Sequence, residues 1–346
     1  MSMPARNAPC LCGSGKKYKL CCLGNAASPA QIEPGALLGA ALARYQRGDL
    51  AGAGAACRQM LASNSRSDQA LHLLAVIACD RRDYPAAAGL ASEAMEYRGP
   101  TPEYLNTLGN ALLGLRAFED AMTAFQEALR PRPAFAEARN NLANTLAALG
   151  RHAEAIPHFQ QALVLTPRNA LIHANLGFSY SALGRYGDTV AACLEAVRLN
   201  PQLAEVFCTL GDAYYALTLH EEAVAALRQA IRLRAGFAHA HNSLGNVYRA
   251  LGMYPEAAEC YQQAILAAPE RAEYHTNLGR VFMDQGDGDA ALAACTAAIL
   301  CDPTYLPALE GIFRVCRLHC AWDGLDQTGA AYRKALLARL DGAESI

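Results

Sequence analysis

Residues 136–169 read AEARNNLANTLAALGRHAEAIPHFQQALVLTPRN, and residues 170–203 read ALIHANLGFSYSALGRYGDTVAACLEAVRLNPQL. The two stretches have the same length and carry the same residue types at matching places: Leu at position 7, Gly at position 15, Ala at position 27 and Pro at position 32. Such a period indicates a repeat protein, in which each unit buries its apolar face only against its neighbours.

The same register extends in both directions, from residue 34 to residue 305. Eight consecutive blocks of 34 residues fit it without a gap, and they start at Pro34, Asp68, Pro102, Ala136, Ala170, Ala204, Ala238 and Ala272. Position 7 is Leu in every block except the first, and position 27 is Ala in every block except the first. Position 8 is always Ala or Gly. This regularity predicts that residues 34–305 form eight repeats.

The spacing within each block predicts two helices. Positions 4, 7, 8 and 11 follow the i, i+3, i+4, i+7 spacing of one buried helical face. Glycine near position 15 marks a turn between two helices, and proline at position 32 ends the second helix. Small residues at positions 8, 20 and 27 stand where the two helices must approach closely. The predicted fold class is therefore all-α, an array of antiparallel helix pairs.

This pattern resembles that of the tetratricopeptide repeat (TPR) family, whose spacing it matches over residues 34–305. The resemblance implies a right-handed superhelical solenoid with a concave groove lined mainly by the first helix of each repeat. It also implies that peptides or protein segments bind in that groove.

Positions 2, 6, 9 and 13 lie beside the buried stripe, so we expect their side chains to face the groove. Positions 6 and 9 carry a run of amide and carboxylate side chains: Asn110, Asn141, Asn144, Asn175, Asp212, Asn246 and Asn277. Because a primary amide can both donate to and accept from a peptide backbone, these residues are candidate contacts to an extended polypeptide. The alternative is that they are solvated amides on a helix face. We expect the groove to lack the basic residues that would clamp a C-terminal carboxylate.

A second motif lies at the N-terminus, where residues 6–24 read RNAPCLCGSGKKYKLCCLG. A tight cluster of cysteines in a chain without a secretory signal favours metal binding over disulfides. Four thiolates can close a tetrahedral site around Zn²⁺, and the candidate ligands are Cys10, Cys12, Cys21 and Cys22. The predicted cofactor is therefore Zn²⁺, bound in a small knuckle at residues 1–24.

These residues resemble the SEC-C motif, which is found at the C-terminus of the preprotein translocase ATPase and is appended to many bacterial proteins. The resemblance assigns zinc binding to the same four cysteines, although Leu11 replaces the usual proline between the first two. In the translocase, the motif is similar in role to a docking tag, so Lys16, Lys17 and Lys19 are candidate docking residues. The alternative is a purely structural zinc cap. Residues 25–33 have the composition of a short linker.

The repeat pattern weakens after residue 305. Residues 306–346 are predicted to be a degenerate repeat with capping helices, or the start of a linker. The stretch that begins with Cys320, Ala321, Trp322 and Asp323 resembles the segment that joins the TPR array to the catalytic domain in O-GlcNAc transferases and SPINDLY-like proteins. The alternative function is thus a substrate-recruiting arm of a family 41 glycosyltransferase. We expect no catalytic domain within these 346 residues.

Composition and motifs argue against several other functions. The formal net charge is −2, which gives no general argument for nucleic-acid binding. No apolar run approaches the roughly 18 residues that a membrane span needs. His173, His241 and His275 stand at the buried position 4, so we expect them to pack rather than to catalyse. We find no nucleophile–base pairing and no phosphate-binding or dinucleotide fingerprint, and therefore expect neither enzymatic activity nor a small-molecule substrate.

Taken together, these features predict a cytoplasmic, non-enzymatic scaffold or adaptor. Its groove would bind an extended polypeptide client, and its zinc knuckle would dock a second partner.

Overall fold

The computed structural model describes residues 34–318, and these residues contain helices and turns but no strand. Seventeen helices follow one another in this range: α1 (Pro34–Gln46), α2 (Leu50–Ser63), α3 (Asp68–Asp80), α4 (Tyr84–Arg98), α5 (Pro102–Gly114), α6 (Phe118–Leu129), α7 (Ala136–Ala148), α8 (His152–Leu165), α9 (Ala170–Ala182), α10 (Tyr186–Leu199), α11 (Ala204–Ala216), α12 (His220–Leu233), α13 (Ala238–Ala250), α14 (Tyr254–Ala267), α15 (Ala272–Asp284), α16 (Gly288–Cys301) and α17 (Leu306–Leu318).

Each 34-residue block forms two helices, as predicted. The first helix covers positions 1–13 of its block, and the second helix begins at position 17 after a short turn, as α13 and α14 illustrate. Short connections between packed helices favour an antiparallel arrangement. The all-α prediction is therefore confirmed for the part of the chain that the structure describes.

The turn inside each block requires a left-handed backbone at position 15. Five blocks place glycine there with φ between 69° and 80°, for example Gly184 and Gly252. Arg82, Arg116 and Thr218 adopt the same conformation with φ of 61° to 62°, although a Cβ makes it unfavourable. Since the second helix packs back onto the first in every block, the tertiary contacts impose this turn even where glycine is missing.

Small residues at position 8 let a side chain at position 24 insert between the two helices. A Cβ added to Gly245 would lie 2.7 Å from Cε1 of Tyr261, which is fully buried. Gly109 receives Phe125, and Gly211 receives Leu227, in the same way. The expectation that the helices of a block approach closely at small residues is therefore confirmed, and interiors packed this tightly tolerate few additional atoms.

The contacts divide the chain into two units, with the boundary between Pro133 and Ala134. In unit 1, α1 to α3 bury a core that includes Met60, Leu73 and Ile77. In unit 2, α11 to α16 bury a core whose members include Leu227, Leu244, Val247, Tyr261 and Val281. Within unit 2 each second helix also packs against the first helix of the next block, which is the stacking that a repeat array requires.

Helix α17 begins at the first position of a ninth block. It packs on α15 and α16 and buries Ala308 and Leu309. The assigned boundaries at residues 24, 33 and 305 remain predictions. The zinc knuckle, the linker and residues 319–346 lie outside the described residues.

None of the described helices is long and apolar enough to cross a membrane.

Candidate functional site

The candidate site is the face formed by the first helices of unit 2. We call it the first-helix face and define it as positions 2, 5, 6, 9 and 12 of α7, α9, α11, α13, α15 and α17. Consecutive first helices contact one another, so these positions come together across repeats. Six of the seven predicted groove residues lie on this face: Asn141, Asn144, Asn175, Asp212, Asn246 and Asn277. Asn110 lies on α5 in unit 1 and is half-buried.

At the start of the face, three predicted amides and the adjacent Asn140, which was not predicted, form hydrogen bonds in two pairs. Nδ2 of Asn175 donates to Oδ1 of Asn144 over 2.9 Å, which joins position 6 of one repeat to position 9 of the preceding repeat. Nδ2 of Asn140 lies 3.4 Å from Oδ1 of its neighbour Asn141. All four residues are half-buried. The amides are therefore held in place but keep part of their surface accessible.

Towards the end of the face, the amides are less accessible. Asn277 is only 8% exposed, and its Nδ2 donates over 2.9 Å to Oδ1 of Asn242, which is 2% exposed. Asn277 Oδ1 also accepts from Arg280. The hydroxyl of Tyr261 donates to Oδ1 of Asn246 over 2.7 Å. Asn277 and Asn246 thus hold neighbouring structure together. Sequence reasoning missed Asn242 because position 5 was not assigned to the groove.

Asp212 lies in a cluster with Cys208 and His239, which the sequence did not indicate as its neighbours. Its Oδ2 is 3.1 Å from Nε2 of His239, and the ligand atoms of Cys208, Asp212 and His239 all lie within 4.8 Å of one another. The hydrogen bond to Asp212 raises the pKa of His239, since a neighbouring carboxylate favours the imidazolium. Burial strongly raises the pKa of the Cys208 thiol.

Three arginines line a cavity of about 200 Å³ near the last described repeats: Arg249, Arg280 and Arg314. Asp284 and Glu310 share the lining, and Arg249 Nη1 lies 3.3 Å from Asp284 Oδ2. The expectation that this face lacks basic residues is therefore wrong at its C-terminal end. Arg280 stands at position 9 of the eighth block, which was assigned to the groove, so the expectation overlooked it. Arg249 stands at position 12, which was not assigned to the groove, and Arg314 belongs to the ninth block, beyond the predicted array.

The three histidines at position 4 have a structural role. In each, Nε2 lies 2.9 to 3.0 Å from the carbonyl oxygen six residues earlier, at Pro167, Ala235 and Pro269. His173, His241 and His275 thus tie the loop between two repeats to the helix that follows. They are half-buried, which agrees with the expectation that they pack.

Two family models match segments of this chain. A model of the tetratricopeptide repeat (TPR_16) matches at residues 72–136, 106–170, 140–204, 208–259 and 242–305. The SEC-C motif matches at residues 6–24. No curated protein matches this chain.

Solved structures with a similar fold have low sequence identity to this chain. A chain of the APC/C hetero-tetramer Cut9–Hcn1 aligns with a TM-score of 0.59 and 18% identity over 83% of this chain. The alignment covers 57% of the Cut9–Hcn1 chain. PilF of Pseudomonas aeruginosa aligns with a TM-score of 0.53 and 21% identity over 60% of this chain and 95% of its own. These likenesses concern the fold.

The resemblance to O-GlcNAc transferases stays a prediction, because its most specific part, from Cys320 onward, lies outside the described residues. The repeat matches, by contrast, cover most of residues 72–305, and the described helices agree with them. This chain belongs to the tetratricopeptide repeat family, and it carries a SEC-C motif at its N-terminus.

Proposed function

We propose that this chain is a non-enzymatic adaptor that binds an extended polypeptide on the first-helix face of unit 2. Membership of the TPR family supports a role as a protein–protein interaction scaffold. The observation that carries the finer proposal is the row of half-buried amides at the start of the face, where Asn175 is bonded to Asn144.

Held amides are well suited to bind a peptide backbone. Each primary amide offers two donor hydrogens and an acceptor oxygen, so the bond between Asn175 and Asn144 uses only part of what the pair can form. Because that bond already restricts both side chains, a ligand would immobilise little additional rotamer freedom. Backbone-directed contacts of this kind would accept clients with varied side chains.

The cavity lined by three arginines gives the first-helix face a preference for negatively charged groups of a client. Arg280 and Arg314 are exposed, and a guanidinium pairs well with a planar carboxylate. A cavity of about 200 Å³ has room for an acidic side chain or a terminal carboxylate. We therefore propose that the client carries a carboxylate at the end that reaches α15 and α17.

The N-terminal motif supplies the second half of the adaptor. The match of the SEC-C motif at residues 6–24 supports a zinc knuckle built from Cys10, Cys12, Cys21 and Cys22. We propose that Lys16, Lys17 and Lys19 dock a second protein partner in the cytoplasm, with the bound zinc holding this short segment folded.

A selected peptide tests the groove. A displayed library of unstructured peptides is selected on the full chain, and the best binder is labelled for fluorescence polarisation. Replacing Asn141, Asn144 and Asn175 together by Ala should weaken its binding at least 10-fold, because three hydrogen bonds of about 0.5–1.5 kcal/mol each are lost. Circular dichroism should report unchanged helicity.

The control for this variant is Gln262→Ala, which removes an exposed amide from the second helix α14 and should leave the affinity unchanged. The proposal fails if no peptide can be selected. It also fails if the triple variant binds the selected peptide as tightly as the parent does.

A further inference from the structure

Cys208, Asp212 and His239 come from the first helices of two adjacent repeats. Cys208 and Asp212 lie four residues apart on α11, so their side chains share one face of that helix. His239 is the second residue of α13, which packs beside α11. None of these residues belongs to the SEC-C motif, and all of them lie in unit 2.

The geometry suits one small cation. Sγ of Cys208, a carboxylate oxygen of Asp212 and a ring nitrogen of His239 lie within 4.8 Å of one another. With metal–ligand bonds of about 2.0 to 2.3 Å, neighbouring donors in a tetrahedral zinc site are about 3.3 to 3.8 Å apart. The 3.1 Å between Nε2 of His239 and Oδ2 of Asp212 is already close to that separation. Small side-chain rotations would therefore complete the site.

Cys208 is placed differently from three other buried cysteines of the described helices, Cys57, Cys193 and Cys295. Cys193 and Cys295 occupy position 24, where their sulfur atoms pack against Gly177 and Gly279; Cys57 holds the same position in the first block. Cys208 stands at position 5 and is 2% exposed. Packing against a position-8 residue accounts for a cysteine at position 24. The sulfur of Cys208, by contrast, lies beside the polar side chains of Asp212 and His239.

The charges balance around a divalent cation. A thiolate and a carboxylate together neutralise a charge of +2, and a neutral imidazole adds none. The site, which runs from the buried Cys208 to the exposed His239, would therefore carry no net charge. Binding replaces the hydrogen bond between His239 and Asp212 with metal bonds. The proton on the ligating nitrogen of His239 moves to the other ring nitrogen, or leaves the imidazolium for solvent, and the thiol proton of Cys208 is also released to solvent. The charged side chains outside the cluster that act on Cys208 and His239 are paired with each other, since Arg234 forms an ion pair with Glu205 and Arg271 forms one with Glu273.

We propose that Cys208, Asp212 and His239 form a Zn²⁺ site with one open coordination position on the first-helix face. Sulfur and imidazole donors favour zinc over magnesium and calcium, which prefer oxygen ligands. Three protein ligands leave the fourth position for water or for a donor atom of a bound molecule. The proposal does not depend on peptide binding and does not depend on the SEC-C motif.

Cobalt substitution tests the site in the full chain. The four cysteines of the SEC-C motif are replaced by Ser, so that only the inner site remains, and the protein is titrated with Co²⁺. We expect one equivalent to bind, with thiolate-to-cobalt charge-transfer absorption and d–d bands of tetrahedral intensity. Added Zn²⁺ should displace the cobalt and remove both signals.

Substitutions by residues of similar size identify the metal ligands, because they remove a ligand atom and add little volume. In the same background, Asp212→Asn and His239→Gln should each weaken metal binding by at least 10-fold. The control is His241→Gln, which removes a histidine two residues away that bonds instead to the carbonyl of Ala235; it should bind Co²⁺ as the background does. Absence of the charge-transfer band, or equal affinity in His239→Gln and in the control, would overturn the proposal.

Discussion

At the scale of single residues, the glycines of this chain have very different surroundings. Gly245 lies in α13 directly beneath the ring of Tyr261, and a Cβ there would meet that ring at 2.7 Å. Gly89 lies inside α4 with nothing within 4 Å of the place where a Cβ would stand. The backbone of both residues is helical, so only the neighbouring side chains distinguish them.

We therefore predict opposite effects of the same substitution. Gly245→Ala should lower the free energy of unfolding by about 1–3 kcal/mol, because the fully buried ring must shift to admit a methyl group. Gly89→Ala should raise it by about 0.5–1 kcal/mol, because alanine loses less backbone entropy in a helix. Thermal unfolding followed by circular dichroism compares the two variants. Equal stability of Gly245→Ala and the parent would contradict the tight packing.

At the scale of elements, the second helices share a starting geometry but differ in their caps. The residue at position 16 precedes α4, α14 and α16 with φ between −88° and −85°. Asp83 and Asp287 accept a hydrogen bond there from the backbone N–H three residues later, which satisfies one free donor of the helix end. Met253 occupies the same position before α14 and forms no such bond.

Met253→Asp should stabilise the protein. Asp83 is followed by Tyr84 and Pro85, and Met253 is likewise followed by Tyr and Pro, so the substitution copies a cap that this chain already contains. A good N-cap contributes about 1 kcal/mol, which should appear as a higher thermal midpoint. Met253→Ala shortens the same side chain without adding a cap, and it should not raise the midpoint. A midpoint for Met253→Asp no higher than that of Met253→Ala would disprove the cap.

At the scale of the whole molecule, the first 24 residues differ from the described helices in composition. They contain Arg6 and three lysines but no acidic residue, and they hold four of the thirteen cysteines. The described helices bury their apolar positions against one another. Their folding therefore needs no metal, whereas so short a cysteine-rich segment has too few apolar residues to form a core of its own.

Loss of zinc from the SEC-C motif should consequently leave the repeats intact. Replacing Cys21 and Cys22 together by Ser should remove one equivalent of zinc, measured by elemental analysis, without changing the far-ultraviolet circular dichroism. Cys301→Ser, which alters an exposed thiol outside the motif, should leave the zinc content unchanged. Unaltered zinc content in the double variant, or a loss of helicity, would show that the motif does not act as an independent zinc site.

The amino-acid sequence by itself determined the repeat length, the helix pairs and the turn at position 15. These features are local, and eight blocks supply eight copies of the same signal, so an exception such as Thr218 does not hide it. The small residues at position 8 also predicted a close approach of the two helices, because helices that approach closely leave room only for Ala or Gly. The SEC-C motif was equally visible, because its four cysteines lie within thirteen consecutive residues.

Only the tertiary structure decided which side chains of the first helices meet. Asn277 forms a hydrogen bond with Asn242, His239 forms one with Asp212, and Arg249 and Arg314 line the same cavity. The partners in each case come from different repeats and lie 27 or more residues apart. Periodicity assigns a residue to a face of its own helix, but the rotation and offset between stacked helices fix its neighbours. Those quantities follow from the packing of the whole core, and no single block encodes them.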